Sequence, residues 1–362
     1  MESSSLKKAA ILTLLLVVIC VGSWELYLRN KGFPIDYNDD ASLWSTQRRM
    51  IYKPIDQETI FIGASRIKFD LDIPTWERVT GEKAIQLSFV GTSPRPLLQD
   101  LANDNNFKGK VIVDVTEPIF FNRNTKRTEK SARDGLEFYK KWTPAQKVSA
   151  SINNILESGF VFLDKTKLSL NAILDHLPVP KRKEVFIFPY FPAGFENCLS
   201  NRQNFMTQSF LQNPAKLKKQ TDNWTILGAL DKTPGITGDS LISVFQELKT
   251  SIDKIKARGG KVLFVRTPSS GGYWETEHIV YPKEKYWDPM LAYTNTPGIH
   301  FKDYPEIASL SCPEWSHLAP KDVLTFTESF IKILEQKGWS FPHKQNIALN
   351  QKLNSKTCNH GL

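Results

Sequence analysis

The sequence predicts an α/β protein in which a mainly parallel sheet lies between two layers of helices, preceded by one membrane-spanning helix. Short β-branched runs, of which residues 110–116 are the clearest, alternate along the chain with amphipathic helical patterns such as residues 240–258. This alternation is typical of parallel sheets with helices on both faces. Apolar residues make up 41% of the 362-residue chain and charged residues 23%, which is the composition of a folded domain and not of a disordered chain.

An apolar segment near the amino terminus, residues 9–28, is predicted to be a transmembrane anchor. A hydrocarbon core about 30 Å thick needs ~20 residues of helix, and this segment suffices if Trp24 and Tyr27 lie in the interfacial zone that such rings favour. A cleaved signal peptide is the alternative. No convincing Ala-x-Ala site follows the apolar stretch, however, and the bulky residues before Cys20 make a poor lipoprotein site.

Two lysines predict the orientation of this anchor. Lys7 and Lys8 favour a cytoplasmic location for the tip formed by residues 1–8, which sends the rest of the chain across the membrane. In a bacterium the protein would then be a single-pass inner-membrane protein with a periplasmic carboxyl-terminal domain. Export would permit a disulfide between Cys198 and Cys312, although free and partly buried thiols fit the sequence at least as well.

The net charge of +9 raises nucleic-acid binding as an alternative. The lysines and arginines are spread along the chain, and the tightest group, residues 181–183, is short. Zinc-finger spacing and RNA-binding aromatic signatures are absent, so we expect no nucleic-acid partner and attribute the charge to a surface near an anionic bilayer. None of the four cysteines forms a C-x-x-C pair, and the sequence predicts neither a metal site nor a cofactor.

Strand and helix patterns alternate from residue 57 to residue 338, which we take as one domain. The predicted strands are residues 59–62, 84–89, 110–116, 261–265 and, more weakly, 298–304. The predicted helices are a short one from residue 73, then residues 96–103, 240–258 and 320–337. A polar turn is predicted to begin at residues 66–69. Residues 29–56 are predicted to be a connector without regular structure, and residues 339–362 a polar tail.

Residues 125–235 interrupt this alternation. They contain helical patterns at residues 144–156 and 204–211 among proline-rich connectors such as residues 177–180. We interpret the segment as a helical insertion that covers or borders a site.

The residues suited to chemistry follow the predicted strands. Ser65 follows the first strand in Gly63-Ala64-Ser65, Gly91 follows the second, and Glu314 and His317 lie in the loop before the last helix. In an open α/β sheet the carboxyl ends of the strands meet along one edge, where ligands bind. We therefore expect these residues to lie together.

A serine, a histidine and a glutamate placed together can activate the serine hydroxyl as a nucleophile. A serine is weak until a base takes its proton, and histidine is the usual base. The spacing of three residues can bring the Glu314 carboxylate to Nδ1 of His317 while Nε2 faces Ser65. The backbone N–H groups of Ser65 and Gly91 could stabilise the resulting oxyanion. The alternatives are structural: Gly-x-Ser after a strand is common, and Ser316 could cap a helix.

Arg266, Arg66 and Trp315 are the candidate substrate-binding residues. Arg266 follows the fourth strand and could bind an acidic or sugar substrate, or it could instead pair with Asp114 or Glu117. Trp315 could stack on a sugar ring, although core packing is the more usual role of a tryptophan.

The motif order resembles that of the SGNH (GDSL-type) hydrolase superfamily over roughly residues 57–338. Gly63-Ala64-Ser65 looks like the nucleophile block of that family, and Gly91 matches the glycine of its oxyanion hole. Residues 314–318 resemble its Asp-x-x-His block with glutamate in place of aspartate. The third block departs, because the family has Gly-x-Asn-Asp with an oxyanion-binding asparagine where this chain has Glu117, which cannot donate when ionised.

The resemblance implies a flavodoxin-like sheet and a membrane-anchored periplasmic serine esterase or O-acyltransferase. It would act on an ester of a cell-envelope glycan through an acyl-enzyme, as in polysaccharide O-acetylation proteins, with a membrane-protein partner in the acylation system. The altered third block keeps a different alternative open, a non-catalytic envelope module that binds glycan or a membrane partner. A lipid-directed hydrolase is a third alternative.

Overall fold

A five-stranded parallel sheet forms the centre of the computed structural model, which describes residues 2–175, 177, 186, 189–230 and 233–342. The strands are β1 (Glu58–Ile62), β2 (Lys83–Gln86), β3 (Lys110–Asp114), β4 (Asn197–Cys198), β5 (Asn204–Phe205), β6 (Lys261–Arg266) and β7 (Gly298–His300). The order across the sheet is β2-β1-β3-β6-β7, with every neighbouring pair parallel, and β4 and β5 form a separate antiparallel pair.

Helices connect the strands and make up most of the insertion. They are α1 (Glu2–Asn30), α2 (Ala41–Arg48), α3 (Ser65–Asp70), α4 (Ile73–Thr80), α5 (Arg95–Asn103), α6 (Glu117–Phe120), α7 (Thr125–Thr128), α8 (Lys130–Lys140), α9 (Pro144–Gly159), α10 (Lys165–Leu168), α11 (Leu170–Asp175), α12 (Gln208–Leu211), α13 (Pro214–Leu230), α14 (Asp239–Ala257), α15 (Gly271–Val280), α16 (Trp287–Thr294), α17 (Pro305–Ala308) and α18 (Pro320–Gln336). Short 3₁₀-helices occur at Val161–Leu163 and Phe301–Asp303.

Both faces of the sheet are buried. Ile60 and Ile62 of β1 belong to one hydrophobic cluster, which also contains side chains of α5 and α14. Phe61, between them, belongs to a second cluster with side chains of α4 and α18. Since successive residues of a strand point to opposite faces, the two clusters lie on opposite sides of the sheet. The run of buried residues in β1 and β3 is what a strand covered on both faces requires.

The strand and helix alternation that the sequence predicts is present, but several bounds differ. The second strand ends at Gln86 and not at residue 89. At this end the carbonyls of Gln86 and Ser88 accept hydrogen bonds from the Arg202 guanidinium, both at 2.9 Å. The predicted turn from residue 66 is instead helix α3. The helix predicted at residues 204–211 is wrong in its first half, which forms β5, and α12 begins only after its N-cap Thr207.

The predicted connector is more ordered than the sequence suggests. It contains α2, whose N-cap Asp40 accepts hydrogen bonds from the backbone N–H groups of the first turn, and whose Trp44 is fully buried. Asp39, just before this helix, binds both Arg202 and the buried Lys68. Burial alone would raise the pKa of Asp39, but these two cations lower it to about 2. The connector is therefore bound to the domain by buried charges.

Helix α1 is long and apolar enough to span a membrane. Its Ser5–Asn30 part has 26 residues, with a mean hydropathy of 2.2 in its most apolar window, of which 6% is buried. The predicted anchor, residues 9–28, lies within it. Cys198 and Cys312 are both buried free thiols. The basic group at residues 181–183, most of the proline-rich connector at 177–180 and the predicted tail beyond residue 342 lie outside the described residues.

Candidate active site

Ser65 and His317 lie side by side although 252 residues separate them along the chain. The Ser65 Oγ atom is 2.9 Å from Nε2 of His317, and Nδ1 of the same ring is 2.9 Å from Oε1 of Glu314. A carboxylate only accepts hydrogen bonds, so Nδ1 must carry the proton. In the neutral ring Nε2 is then free to accept the hydrogen bond of the Ser65 hydroxyl.

A tight turn after β1 positions the serine. Ser65 is the first residue of α3 and is half-buried, and Ala64 before it is extended. Gly63 has to be glycine, because an added Cβ would lie 2.6 Å from Cβ of Asp114 and 2.7 Å from a methyl group of Ile67. The close packing of Gly63 against Asp114 of β3 and Ile67 of α3 thus fixes the turn of the backbone that positions Ser65.

The turn before α18 holds the acid and the base as one unit. Besides the His317 ring, Oε1 of Glu314 accepts the backbone N–H groups of Ser316 at 3.2 Å and His317 at 2.6 Å. Ser316 is not the helix cap that the sequence suggested as an alternative, since Ala319 occupies that position. Trp315 has a φ of +81°, which is strained for a residue other than glycine.

Trp224 of α13 completes the environment of the carboxylate. Its indole N–H donates to Oε2 of Glu314, the oxygen that the turn does not use. The sequence predicts no role for this residue. It lies 90 positions from Glu314 within the insertion, and one tryptophan in a helical pattern carries no signal of such a contact.

Aromatic rings enclose the imidazole, which is only 1% exposed. The centroid of the Phe69 ring is 4.2 Å from that of His317, and those of Phe195 and Trp224 are 5.8 and 6.3 Å away. Phe195 and Trp224 both belong to residues 125–235. The insertion therefore lies directly against the base.

Gly91 lies in the loop after β2, where it is exposed and has a φ of +61°. An added Cβ would meet nothing within 4 Å, so it is the backbone conformation that favours glycine here. The same loop joins the serine turn through the N–H of Phe89, which donates to the carbonyl of Gly63 at 3.3 Å. The loops after β1 and β2 are thus adjacent.

The two arginines expected at a substrate are instead buried in an ion-pair network. Glu277 binds Arg66 through both carboxylate oxygens, at 2.5 and 3.2 Å, and also binds Arg266. Arg266 is fully buried and pairs with Glu117 at 3.0 Å, the alternative that the sequence left open. Both guanidinium groups are enclosed, and carboxylates are their ion-pair partners. Substrate contact by Arg66 or Arg266 stays a prediction. Glu117, which stands where the SGNH pattern has an asparagine, is held by Arg266.

The tryptophan of the acid–base turn packs on a glycine pair. A Cβ added to Gly271 would lie 2.4 Å from the Trp315 ring, and one added to Gly272 2.9 Å from it. The ring is half-buried. Trp315 therefore packs against α15, which is the core packing that is usual for a tryptophan. A sugar could reach only the part of the ring that remains exposed.

Asp114 and Glu277 show how strongly burial acts at this site. Burial raises the pKa of Asp114 to about 6, although Arg66 and Arg266 lie close by. Burial would also raise the pKa of Glu277, but the same two guanidinium groups outweigh it, and the pKa is lowered. The network therefore keeps Glu277 ionised between the two cations.

Asp70 is a buried carboxyl at the end of α3. Its Oδ1 accepts the backbone N–H of Leu318 at 2.9 Å, and its buried Oδ2 has no hydrogen-bond partner among the described residues. Burial raises its pKa well above the ordinary value, and the nearby charges of Asp114 and Glu314 raise it further. The folded protein therefore retains a proton on Asp70 at pH values where the unfolded chain releases it.

We expect Asp70→Asn to remove a pH dependence of stability. Because the folded-state pKa lies above the unfolded-state value, the wild-type free energy of unfolding falls as pH rises between the two, by up to about 1.4 kcal/mol per pH unit. Asparagine keeps the acceptor for Leu318 and cannot ionise. Urea unfolding of the full chain in detergent at pH 4 and pH 8 should show a gain for the variant only at pH 8. Parallel pH profiles for the two proteins would contradict this account of Asp70.

A cavity of about 1010 Å³ lies one side chain away from the imidazole, and Ser65, Glu314 and His317 are not among its lining residues. Phe195, whose ring contacts His317, forms part of its wall, and Phe89 lines it near the Gly91 loop. Glu196 also lines it, and burial raises the pKa of that carboxyl, although Lys68 opposes the shift. Ligand pockets typically have about 300–1,000 Å³, so the cavity has room for an organic ligand larger than a single sugar.

Sequence comparison finds no family model and no curated protein that matches this chain. Among the residues that the structure describes, no group of histidine, cysteine, aspartate or glutamate side chains is arranged to hold a metal ion. The geometry of Ser65, His317 and Glu314 therefore carries the functional inference.

Proposed function

We propose that this chain is a membrane-anchored serine esterase or O-acyltransferase that acts on an ester of a cell-envelope glycan. The observation that carries the proposal is the continuous hydrogen-bonded chain from Ser65 Oγ through the His317 ring to Glu314, with both links at 2.9 Å. These side chains lie where β1 ends and where α18 begins, the edge of a parallel sheet at which ligands bind. We further propose a divergent branch of the SGNH (GDSL-type) superfamily, with a three-layer, flavodoxin-like domain.

The mechanism begins with attack of Ser65 Oγ on an acyl carbonyl while its proton moves to Nε2 of His317. Glu314 accepts the hydrogen bond from Nδ1 and stabilises the imidazolium that forms. The backbone N–H groups of Ser65 and Gly91 would stabilise the oxyanion, and loss of one such donor typically costs about 3–4 kcal/mol in the barrier. Glu117 would not be a third donor, since it is paired with Arg266.

Release of the first product needs the proton that His317 has taken. Collapse of the tetrahedral intermediate expels the alcohol oxygen, which takes that proton from Nε2 and leaves an acyl group on Ser65 Oγ. A second molecule then attacks the ester carbonyl with His317 as its base. If that molecule is water the enzyme is an esterase, and if it is a sugar hydroxyl the enzyme is an acyltransferase. No step needs a metal or an organic cofactor.

We place the domain on the periplasmic side of a bacterial inner membrane, with α1 as a single-pass anchor. Lys7 and Lys8 at the amino-terminal end of α1 support this orientation. A membrane protein of an acylation system would be the natural partner, because a periplasmic transferase needs a supply of acyl groups.

A non-catalytic envelope module that binds glycan or a membrane partner is the second candidate. Two observations favour it: the imidazole is only 1% exposed, and Glu117 stands in an ion pair where the SGNH pattern has an oxyanion donor. Under this hypothesis the hydrogen bonds of Ser65, His317 and Glu314 would be structural.

Pre-steady-state hydrolysis of p-nitrophenyl acetate by the full chain in detergent tests the proposal. We expect a burst of p-nitrophenol that matches the protein concentration, followed by slower turnover. Faster turnover and an acylated product in the presence of an oligosaccharide would identify a transferase. The absence of both burst and turnover would reject the proposed activity on such esters and favour the binding module.

We expect Trp224→Phe to lower kcat about 10-fold with little change in KM. Phenylalanine keeps a ring among Phe191 and Phe195 but cannot donate the hydrogen bond to Glu314 Oε2. A hydrogen bond to a charged group contributes about 1.5–3 kcal/mol, so its loss should loosen the carboxylate that orients His317. The pH profile of kcat should move as well, which a merely structural effect would not produce.

Trp287→Phe is the matched control for this experiment. Trp287 is 2% exposed and packs in the hydrophobic cluster that contains Ile60 and Ile62, so its replacement should affect stability more than kcat. Equal kcat for Trp224→Phe and wild type would show that the indole does not position the acid.

A further inference from the structure

Helix α9 has its apolar side chains on the outside. Val148, Ile152, Ile155 and Leu156 are 39–71% exposed, and their spacing of four, three and one residues puts them in one row. The opposite face, with the buried Ala150 and Glu157, packs on the domain. Glu157 there accepts a hydrogen bond from Asn38 at 2.7 Å. A surface helix of a soluble domain has the reverse arrangement.

Helix α11 also has exposed apolar side chains, and Leu177 lies just beyond its end. Leu170, Ile173, Leu174 and Leu177 recur at spacings of three, one and three residues and are 48–70% exposed. Phe160, between the two helices, is 41% exposed. Two helices with exposed apolar side chains, close together in the chain, make an apolar surface too extended to be explained as single exposed residues. We call the exposed apolar side chains of α9, Phe160 and α11 the apolar rows.

The segment between the two helices is bound to the end of α1. The Glu25 carboxylate accepts the backbone N–H groups of Val161 at 3.0 Å and Phe162 at 3.1 Å. Arg29, one turn later, binds Glu25 at 2.7 Å and the carbonyl of Gly159 at 2.8 Å. The end of α9 and the 3₁₀-helix that follows are therefore fixed at the level of the last turns of α1.

Two aromatic residues mark that level. Trp24 and Tyr27 are stacked, with centroids 5.5 Å apart, and both are about half exposed on α1. Tryptophan and tyrosine are enriched where a membrane-spanning helix leaves the hydrocarbon core. Glu25 lies between them in sequence, so the residues that it binds lie at the same depth.

We propose that the apolar rows rest on the lipid bilayer that α1 spans and hold the domain against the membrane surface. The inference rests on the proposed anchor and goes beyond it, since an anchor alone could carry the domain on a flexible tether. Lipid is the occupant that the contacts favour, because the rows adjoin the interfacial end of an apolar helix whose own side chains are exposed. Helices with one apolar face bind bilayers in this way.

The arrangement brings the cavity close to the bilayer. Asn171 and Ala172 of α11 line the cavity, while Leu170, Ile173 and Leu174 of the same helix belong to the apolar rows. Helix α11 would thus separate the cavity from the lipid. A substrate carried by a lipid in this leaflet would have a short path to the site.

Depth-dependent quenching in vesicles tests the proposal with the full chain. Ile155→Cys is introduced together with Cys20→Ser and Cys358→Ser, which leave only the buried thiols of Cys198 and Cys312 besides the new cysteine. The new cysteine is labelled with an environment-sensitive fluorophore, and the protein is reconstituted in vesicles containing doxyl-labelled lipid. Ile279→Cys on α15 is the matched control, because Ile279 and Ile155 are both 71% exposed. Leu15→Cys in α1 reports on the anchor itself.

We expect the labels at positions 15 and 155 to be quenched several-fold more than the label at position 279. Quenching at 15 but not at 155 would overturn the inference and leave the anchor intact, and it is the result expected if a partner protein covers the apolar rows. Weak quenching at all three positions would instead reject the anchor and the inference with it. The esterase assay with the unlabelled protein is independent of both outcomes.

Discussion

Ser65→Ala is expected to reduce acyl-ester turnover by about 10⁴-fold or more, because it removes the attacking oxygen and leaves only binding and oxyanion stabilisation. The hydroxyl lies 2.9 Å from its base, and alanine fits the same position at the start of α3. The loss should therefore appear in kcat without a loss of folding. Burst kinetics with p-nitrophenyl acetate and the melting temperature of the full chain measure the two effects separately.

Ser243→Ala is the matched control. Ser243 is an exposed serine on α14 whose hydroxyl donates to the carbonyl of Asp239 within its own helix, so its loss should leave both turnover and stability near the wild-type values. If Ser65→Ala hydrolyses the ester as fast as Ser243→Ala, Ser65 is not the nucleophile.

Glu314→Gln is expected to lower kcat by about 10³–10⁴-fold, the scale seen when the acid of a serine–histidine–carboxylate triad becomes an amide. The carboxylate accepts hydrogen bonds from the His317 ring, two backbone N–H groups and Trp224. An amide has one oxygen and one NH₂ group. The NH₂ group of the introduced glutamine would therefore face the N–H of either the His317 ring or the Trp224 indole, and that hydrogen bond would be lost. The imidazolium formed during the reaction would lose its negative partner.

Glu314→Asp distinguishes loss of charge from loss of geometry. Aspartate keeps the charge on a shorter side chain, so we expect it to retain more activity than glutamine. The measurement is kcat for both variants at matched pH, with circular dichroism to verify folding. A glutamine variant that is as active as the wild type would show that the carboxylate has no part in orienting or stabilising the base.

The residue pattern was sufficient for the parallel sheet and for the meeting of Ser65, Glu314 and His317. Strands such as residues 110–114 are marked by continuous β-branched runs, and parallel strands bring their carboxyl ends to one edge, so residues far apart in sequence meet there. The prediction needed only the order of elements along the chain.

Contacts within the insertion required the structure. Trp224 and Phe195 touch the catalytic candidates only because of how residues 125–235 fold back, and no local pattern encodes that path. Arg66 and Arg266 follow the strands that a substrate-binding residue would follow, yet the buried carboxylate of Glu277, on another helix, pairs with both. The sequence does not encode this tertiary charge pairing.

Helix α9 shows a different reason why sequence is insufficient. Its periodic pattern predicts an amphipathic helix, but the pattern does not say which face meets the protein. The face that packs on the domain carries the small Ala150 and Glu157, whose carboxylate binds Asn38. The apolar row, on the opposite face, is therefore exposed. Only the packing reveals that orientation.

Mass spectrometry of the full chain after reaction with a fluorophosphonate tests the central claim most directly, because the reagent reports an activated serine without a chosen substrate. We expect one covalent adduct, on the peptide that contains Ser65, and its loss in His317→Ala. An unlabelled Ser65 in the wild-type protein, or an adduct that persists unchanged without the imidazole, would contradict the claim that Ser65 and His317 form a nucleophile and its base.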